Sequence, residues 1–217
     1  MVLEQSKRGN WACCLSQLGG RGVASTADVI KDAISDYKGH CLGSIWTSEN
    51  FNVVGGRILS ARKEFNPLIK YARQAVESQM SREFYLTPEI VDANGKPYAQ
   101  LLEEIAEEDA GKPFGEKRVA DFGETITHSV PTDSFADDDA IVFLTGGERL
   151  ANKFGLFLRN KLPEELRLPS VMVYFMQLSD RDYSRGTSLC SLGKYSKSDI
   201  NCGSNVYLQD DGVIFMA

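Results

Sequence analysis

Two apolar runs separated by an amphipathic segment restrict the fold of this chain more than any other feature. The runs cover residues 140–145 and 171–178, read AIVFLT and VMVYFMQL, and lack polar alternation, which is typical of strands buried on both faces. Between them, Leu150, Phe154 and Phe157 recur at helical spacing. The pattern predicts a C-terminal βαβ unit with two parallel strands and a right-handed crossover helix.

The rest of the chain carries further helix and strand patterns. We expect a single mixed α/β (α+β) domain over residues 1–217, with a mainly helical N-terminal part, the βαβ unit and a terminal β-hairpin. Residues 112–139 fit either a crossing strand or a mobile segment. The other elements are predicted from helical spacing, capping and turn signals and strand-like composition. They are helices at 26–37, 97–111 and 67–80, the last of which either starts at Pro67 or belongs to a longer kinked helix, a strand at 83–91, and a hairpin around Asp211-Gly212. Residues 42–48 and 51–54 have strand-like composition, but their alternation is too weak to fix a strand.

Composition excludes several classes of protein. The chain is 42% hydrophobic and 25% charged, close to a soluble globular average, and no window reaches the roughly 18 apolar residues of a membrane span. The N-terminus has no apolar core of signal-peptide length, so we expect a cytoplasmic protein without a membrane partner. Five cysteines without CxxC spacing and two histidines argue against a disulfide framework or a structural zinc site.

The net charge of −6 hides a division into three segments. Residues 1–82, a basic and predicted helical region, hold eleven Lys or Arg and seven Asp or Glu. Residues 83–139, an acidic connecting region, hold four and fifteen, and residues 140–217, with the βαβ unit and hairpin, hold nine and eight. Such a division favours contact between charged surfaces, within the chain or with a partner.

The turn Thr145-Gly146-Gly147 is a candidate ligand site. Backbone N–H groups at the start of a helix bind anions, and ligands of open α/β sheets lie at the carboxyl ends of strands. Glu148, however, places a negative charge in the first turn, and neither GxGxxG nor GxxxxGK[ST] is present. A plain turn between strand and helix therefore competes with a site for a phosphorylated metabolite or nucleotide.

No set of residues predicts catalysis or a bound cofactor. His40 and His128 have no nucleophile at a motif spacing, and a GxSxG elbow is absent. The run 137–139 is all Asp, but it precedes a predicted strand and so lies at the end of the sheet opposite the expected ligand crevice. We expect no catalytic residue, no metal site and no cofactor.

Two sets of residues are candidates for partner contact. The first is basic and lies in residues 62–73, and the second mixes tyrosines with basic residues in 179–205, a polar stretch long enough to need hidden structure or an interaction role. Nucleic acid is an alternative partner for basic residues. The candidates are Arg62, Lys63, Lys70, Arg73, Tyr183, Arg185, Lys194, Tyr195 and Lys197.

Together these observations favour a protein that is not an enzyme. We expect it to join a larger protein or nucleoprotein complex, or to form a homo-oligomer, through charge-segregated surfaces and the polar arm at 179–205. The alternative is a small α/β enzyme or regulator that binds a phosphorylated metabolite or nucleotide at Thr145–Glu148.

Overall fold

The computed structural model of the chain describes residues 4–10, 22–36, 44–71, 84–124, 126–162, 164, 167–175, 181–190, 201–203 and 211–216. Helices and strands alternate irregularly along the chain, as in a mixed α+β protein. The strands are β1 (Glu4–Asn10), β2 (Ser44–Val54), β3 (Arg57–Ala61), β4 (Phe84–Tyr85), β5 (Val119–Gly123), β6 (Ile126–Pro131), β7 (Ser170–Phe175), β8 (Tyr183–Cys190), β9 (Asn201–Gly203) and β10 (Asp211–Met216). The helices are α1 (Thr26–Ser35), α2 (Pro67–Lys70), α3 (Tyr98–Glu108), α4 (Asp139–Thr145) and α5 (Glu148–Leu156), which continues as a π-helical turn over Phe157–Lys161.

The described strands form one sheet with β2 at its branch point. The strand order is β1-β10-β2-β8-β9-β7-β6, while β3 joins β2 to β5 and β4 pairs with β8. The start of β2 pairs with β10, the end of β2 pairs with β3, and β8 follows β2 along its other edge. At one side of the sheet, β1 and β10 are antiparallel neighbours, with Glu4 opposite Met216.

Two hydrophobic cores lie on opposite faces of this sheet. Val53 and Ile58 belong to one core, whereas the next residues along each strand, Val54 and Leu59, belong to the other, because side chains alternate across a strand. Helices α1, α4 and α5 cover the first face, and α2 and α3 cover the second. Mixed α+β architecture is therefore confirmed.

Helix starts follow the predicted signals closely. Ser25 and Asp28 form a capping box at the start of α1, and the Asn66 side chain accepts a hydrogen bond from the Leu68 N–H at 2.9 Å, with Pro67 in the first turn of α2. Residues 72–80 of the predicted 67–80 helix lie outside the described residues. The predicted helix over 97–111 is α3, and it packs Leu102 and Ile105 into the core.

The predicted βαβ unit is wrong because residues 140–145 form a helix. The Asp138 side chain accepts from the Ile141 N–H at 2.9 Å at the start of α4, and Gly146 ends the helix in a left-handed conformation, with φ of 77°. Every residue from Ala140 to Thr145 is buried. A short helix buried on all sides has the same continuous apolar pattern as a buried strand.

Other predictions near the C-terminus also change. The helix after Gly147 is confirmed as α5, and β7 confirms the predicted strand over residues 171–175, while 176–178 lie outside the described residues. The proposed hairpin turn is wrong, because Asp211 and Gly212 pair with Asn10 and Gly9 inside β10. The mainly helical character of residues 1–82 stays a prediction, since 11–21, 37–43 and 72–82 lie outside the described residues; the described part contains β1, β2 and β3 as well as helices.

The polar stretch 179–205 contributes strands to the middle of the sheet, so the polar-arm prediction is wrong for its described part. Strand β8 pairs with β2, β4 and β9. Its polar residues Ser184 and Arg185 are buried. Ser184 belongs to a hydrogen-bonded network in which the Asn50 amide donates to Ser184 Oγ at 2.7 Å and to Asn52 Oδ1 at 2.6 Å. A strand whose buried face is polar lacks the apolar alternation by which strands are recognised.

In the described parts of the chain, each helix is too short or too polar to span a bilayer. Within the same residues, no three His, Cys, Asp or Glu side chains are grouped so as to hold a metal ion.

We predict that Gly155→Ala destabilises the protein by about 2 kcal/mol or more. A Cβ atom at residue 155 would lie 1.9 Å from the carbonyl oxygen of Thr132, so the backbone of one element must move. This cost exceeds the gain of about 1 kcal/mol that Ala brings over Gly in a helix. Urea unfolding measures the difference.

The control is Gly111→Ala, since no atom lies within 4 Å of the added Cβ at that position. We expect it to change the free energy of unfolding by less than about 0.5 kcal/mol. Equal effects of the two substitutions would contradict the close approach of α5 to residue 132.

Candidate functional site

An open groove of about 560 Å³ lies between β5, β6 and the start of α4. Among the described strands, β5 pairs with β3 and β6 pairs with β7, and the two do not pair with each other. The sheet is therefore open at this position, with a volume in the range of ligand sites. We call it the β5–β6 groove, and its lining is Phe114, Asp121, Phe122, Thr127, His128, Asp137, Asp138, Asp139 and Ala140.

Two phenylalanines form the apolar wall of the groove. Phe114 and Phe122 stack with their ring centroids 5.5 Å apart and an interplanar angle of 16°. Phe122 also meets the buried Phe143 of α4 edge to face at 6.1 Å. The wall is thus fixed to the core through Phe143, and it requires little ordering when a ligand binds.

Three consecutive aspartates also line the groove. Asp138 caps α4, and its other oxygen lies 2.6 Å from His128 Nε2. Burial and the neighbouring Asp138 carboxylate raise the pKa of Asp139, and Lys117 opposes this rise. The start of α4 therefore holds carboxylates close together, and the electrostatic repulsion between them favours a bound cation.

Most other carboxylates of the acidic segment 83–139 have partners within the chain. Glu103 pairs with Arg57 at 3.3 Å, and Glu108 pairs with Arg118 at 2.7 Å. Lys96 pairs with Glu104, and Asp121 of the groove pairs with Arg57 at 3.0 Å. In the described part of the chain, no lysine or arginine forms an ion pair with Asp137 or Asp139. Asp137 and Asp139 thus line the groove without a salt bridge to a described residue, and Lys117 is a cation whose charge acts on Asp139.

Arg62, predicted to contact a partner, is a structural residue. Its Nη1 lies 3.8 Å from Glu49 Oε1, and its guanidinium carbon lies 4.2 Å from the centre of the Phe143 ring. It also donates to the carbonyl oxygens of Gly115 and Lys117, each at 3.3 Å. Arg62 therefore holds the loop that carries Phe114 against the core, and its side chain is 19% exposed.

Glu49, the partner of Arg62, is a carboxylate inside the core. Its Oε2 accepts hydrogen bonds from the Thr26 N–H at 2.9 Å and the Thr26 hydroxyl at 2.8 Å. Burial raises the pKa of Glu49, and Thr26 and Arg62 oppose this rise. The start of α1, β2 and the groove loop thus share one polar cluster.

A second buried carboxylate, Asp109, fixes the other end of the groove loop. It accepts from the Arg118 backbone N–H at 2.7 Å, from Arg118 Nη2 at 2.8 Å and from Lys112 Nζ at 2.6 Å. Burial acts to raise the pKa of Asp109, but these hydrogen bonds outweigh it and hold the pKa well below its usual value. Residues 109–118 are therefore tied back to the end of α3.

The other predicted partner residues are dispersed. Tyr183 and Arg185 are buried at 0% and 1% exposure, so their side chains pack inside the chain and are removed from any contact surface. Lys63 is exposed, and Lys70 is exposed and donates to the Val91 carbonyl at 2.7 Å. The remaining candidates lie outside the described residues: Arg73, Lys194, Tyr195 and Lys197.

The Thr145-Gly146-Gly147 turn joins two helices, which corrects the predicted turn between strand and helix. The Gly146 and Gly147 N–H groups donate to the carbonyls of Phe143 and Val142 at 3.1 and 3.0 Å, and the Thr145 hydroxyl donates to Ile141 at 2.8 Å. These donors close the end of α4. A phosphate ligand would have to replace those bonds, and this ligand site stays a prediction.

Sequence reasoning missed the groove because it placed the 137–139 run before a strand. With residues 140–145 in a helix, that run lies at a helix start instead, on the wall of the groove. Asp138 before an apolar run and Gly146 after it are helix start and stop signals, and they were the available clue. Phe114 and Phe122 carry no local signal, because their stacking brings together a residue of the groove loop and a residue of β5.

Comparison with known proteins identifies the fold. No protein-family profile and no curated protein matches this sequence. A solved structure, from work on how the C-type lectin fold accommodates massive sequence variation in Nanoarchaeota, superposes with a TM-score of 0.66 at 10% sequence identity. The match covers 99% of this chain and 96% of the other. The chain therefore shares the C-type lectin fold with that protein.

We predict that Arg62→Ala destabilises the protein by about 3 kcal/mol, because it leaves the Glu49 carboxylate buried without its cation. In a Glu49→Gln background the same substitution should cost at least about 1 kcal/mol less. Urea unfolding of the four proteins in this double-mutant cycle measures the coupling. Lys63→Ala, which removes the adjacent exposed cation, serves as the control. Additive effects of Arg62→Ala and Glu49→Gln on the free energy of unfolding would contradict the coupling.

We predict that Asp109→Asn costs about 3 kcal/mol at pH 7 and that this difference shrinks in acid. A carboxyl group whose pKa is lowered in the folded state stabilises the fold above the pKa of the unfolded chain, about 3.9. That contribution is lost as the pH falls from there through the lower folded pKa. Urea unfolding of both proteins between pH 3 and 7 tests this, and a difference independent of pH would contradict the charge-based account.

Proposed function

We propose that this chain is a non-enzymatic interaction protein that joins a larger protein complex, with the β5–β6 groove as the site for a positively charged part of its partner. The observation that carries the proposal is the combination of unpaired carboxylates and stacked phenylalanines in one groove. Asp137 and Asp139 line the same groove as Phe114 and Phe122, and Phe122 is fixed to the core through Phe143.

Lysine and arginine side chains match both walls. Their charged ends pair with carboxylates, and their aliphatic stems pack against apolar rings. The chain's own Lys117 already contacts the aromatic wall in this way, with its Nζ 4.6 Å from the centre of the Phe114 ring. Phosphate-rich partners are disfavoured at this groove, because nucleic acid and phosphorylated metabolites carry the same sign of charge as Asp137 and Asp139. The proposed partner is therefore a protein, and the basic surface residues Lys63 and Lys70 lie outside the proposed site.

The fold is compatible with a binding role. The Nanoarchaeota structure concerns a C-type lectin fold that accommodates massive sequence variation. In this chain, the Arg62–Glu49 cluster and the strand network lie inside, while Asp137 and Asp139 are exposed. Because its cysteine spacing favours a reducing compartment, we place the proposed complex in the cytoplasm.

A random peptide library displayed on phage tests this function with the purified chain immobilised as bait. We expect the selected peptides to be rich in Lys and Arg. We expect the Asp137→Asn/Asp139→Asn variant to bind the corresponding synthetic peptides at least about tenfold more weakly, since it removes two charged pairs that together contribute about 1.4 kcal/mol or more. Fluorescence anisotropy measures the dissociation constants.

The matched control is Glu107→Gln/Glu164→Gln, which removes the same charge from exposed positions away from the groove. It should bind the selected peptides within about twofold of the unaltered protein, because charges beyond a Debye length are largely screened. Selection without enrichment of basic residues, or equal weakening by both variants, would refute the groove as the binding site.

A further inference from the structure

The outer edge of β6 exposes backbone hydrogen-bonding groups beside the groove. Strand β6 pairs with β7 along Ile126–Pro131, and within the described residues no second strand pairs with it. Successive residues of a strand direct their N–H and C=O groups to alternate sides. The Thr132 N–H donates to the Pro169 carbonyl at 2.9 Å, which places the groups of even-numbered β6 residues on the β7 side.

The backbone groups of Thr127 and Ser129 therefore face the open edge. Pro131 has the same parity, and proline, which has no N–H to donate, is tolerated where the N–H would face outward. The side chains of Thr127, His128 and Ser129 are all exposed, although neighbouring residues point to opposite faces of a strand. Apart from the contact of His128 with Asp138, this part of β6 thus carries exposed side chains on both faces and an edge that no other described strand pairs with.

We propose that the partner enters the groove as an extended segment that adds a strand to β6 and directs alternate basic side chains toward the aspartates. This inference rests on the function proposed above and specifies the partner's conformation. The side chain of His128 contacts Asp138, so residues of the added strand that share the face of His128 point toward Asp137, Asp138 and Asp139. Main-chain bonds supply affinity in such strand addition, and the alternate side chains supply specificity.

Charge decides between this occupant and a second copy of the chain. Pairing β6 with the β6 of another copy would bring two sets of groove carboxylates together, and like charges across neighbouring strands are destabilising. A segment with Lys or Arg at every second position has the opposite charge on the groove face. An extended basic segment therefore fits this edge better than self-association does.

The test uses an acetylated and amidated alternating Lys-Val octapeptide as the probe, because alternation places all its lysines on one face of a strand. Two further versions carry backbone N-methyl groups, one on the lysines and one on the valines. Only one alternate set of amides can bond to β6, whichever way the peptide runs. We expect methylation of one set to weaken binding at least tenfold and methylation of the other set to change it by less than about threefold.

A variant of the chain provides the second arm. Ser129→Pro removes an N–H that faces the open edge while leaving the bonds to β7 in place, and Ser129→Ala is its matched control. We expect Ser129→Pro to weaken binding of the unmethylated peptide at least tenfold and Ser129→Ala to leave it unchanged. Thermal unfolding verifies that both variants are folded.

The outcomes separate this inference from the function on which it rests. Equal effects of the two methylated sets, together with weaker binding to Asp137→Asn/Asp139→Asn, would overturn strand addition and leave the groove as a site for side chains alone. Failure of the peptide to bind at millimolar concentration would overturn the inference. Concentration-dependent dimers in analytical ultracentrifugation that Ser129→Pro abolishes would overturn it in favour of a second copy.

Discussion

The position of Arg62 between Glu49 and Phe143 is the interaction on which the rest of the groove depends. A buried carboxylate needs a cation and hydrogen bonds, and Glu49 has Arg62 and Thr26 for this purpose. The same guanidinium covers the Phe143 ring and binds two carbonyls of the groove loop. The start of α1, the middle of the sheet and the aromatic wall are thus linked through one side chain, so core stability and groove shape are coupled.

The sequence predicts elements well where a local signal has one interpretation, as at α1, α3 and α5. Prediction from the sequence fails where the surroundings of a segment in the folded chain determine its secondary structure. Residues 140–145 are apolar throughout, which fits a strand or a helix buried on all sides, and the caps at Asp138 and Gly146 distinguish the two. Strand β8 was missed for the opposite reason, because Ser184 and Arg185 are polar and buried. Ser184 has its hydrogen-bonding partner, Asn50, in a distant strand, and no local window contains both residues.

The candidate site was less predictable than the fold. The sequence shows Asp137 to Asp139 as a cluster. Because residues 140–145 were predicted to be a strand rather than a helix, the cluster was placed at the wrong end of the sheet. Arg62 and Lys70 belong to the same basic run in the sequence, yet one lies against the core and the other is exposed. The net charge of each segment identified residues 83–139 as the acidic region that contains the groove aspartates. The pairing of Glu103 and Glu108 with distant cations is a tertiary property, and it decides where unpaired charge remains.

The antiparallel pairing of β1 with β10 has a mechanical consequence. Glu4 lies opposite Met216 and Asn10 opposite Asp211, so residues 4 and 216 sit side by side at one end of the strand pair. Tension applied through these two residues pulls across the hydrogen bonds and loads them one after another from that end. In shear, by contrast, the bonds would share the load. Under such tension, β1 and β10 would therefore separate at low force, even while strand pairing held a partner in the groove.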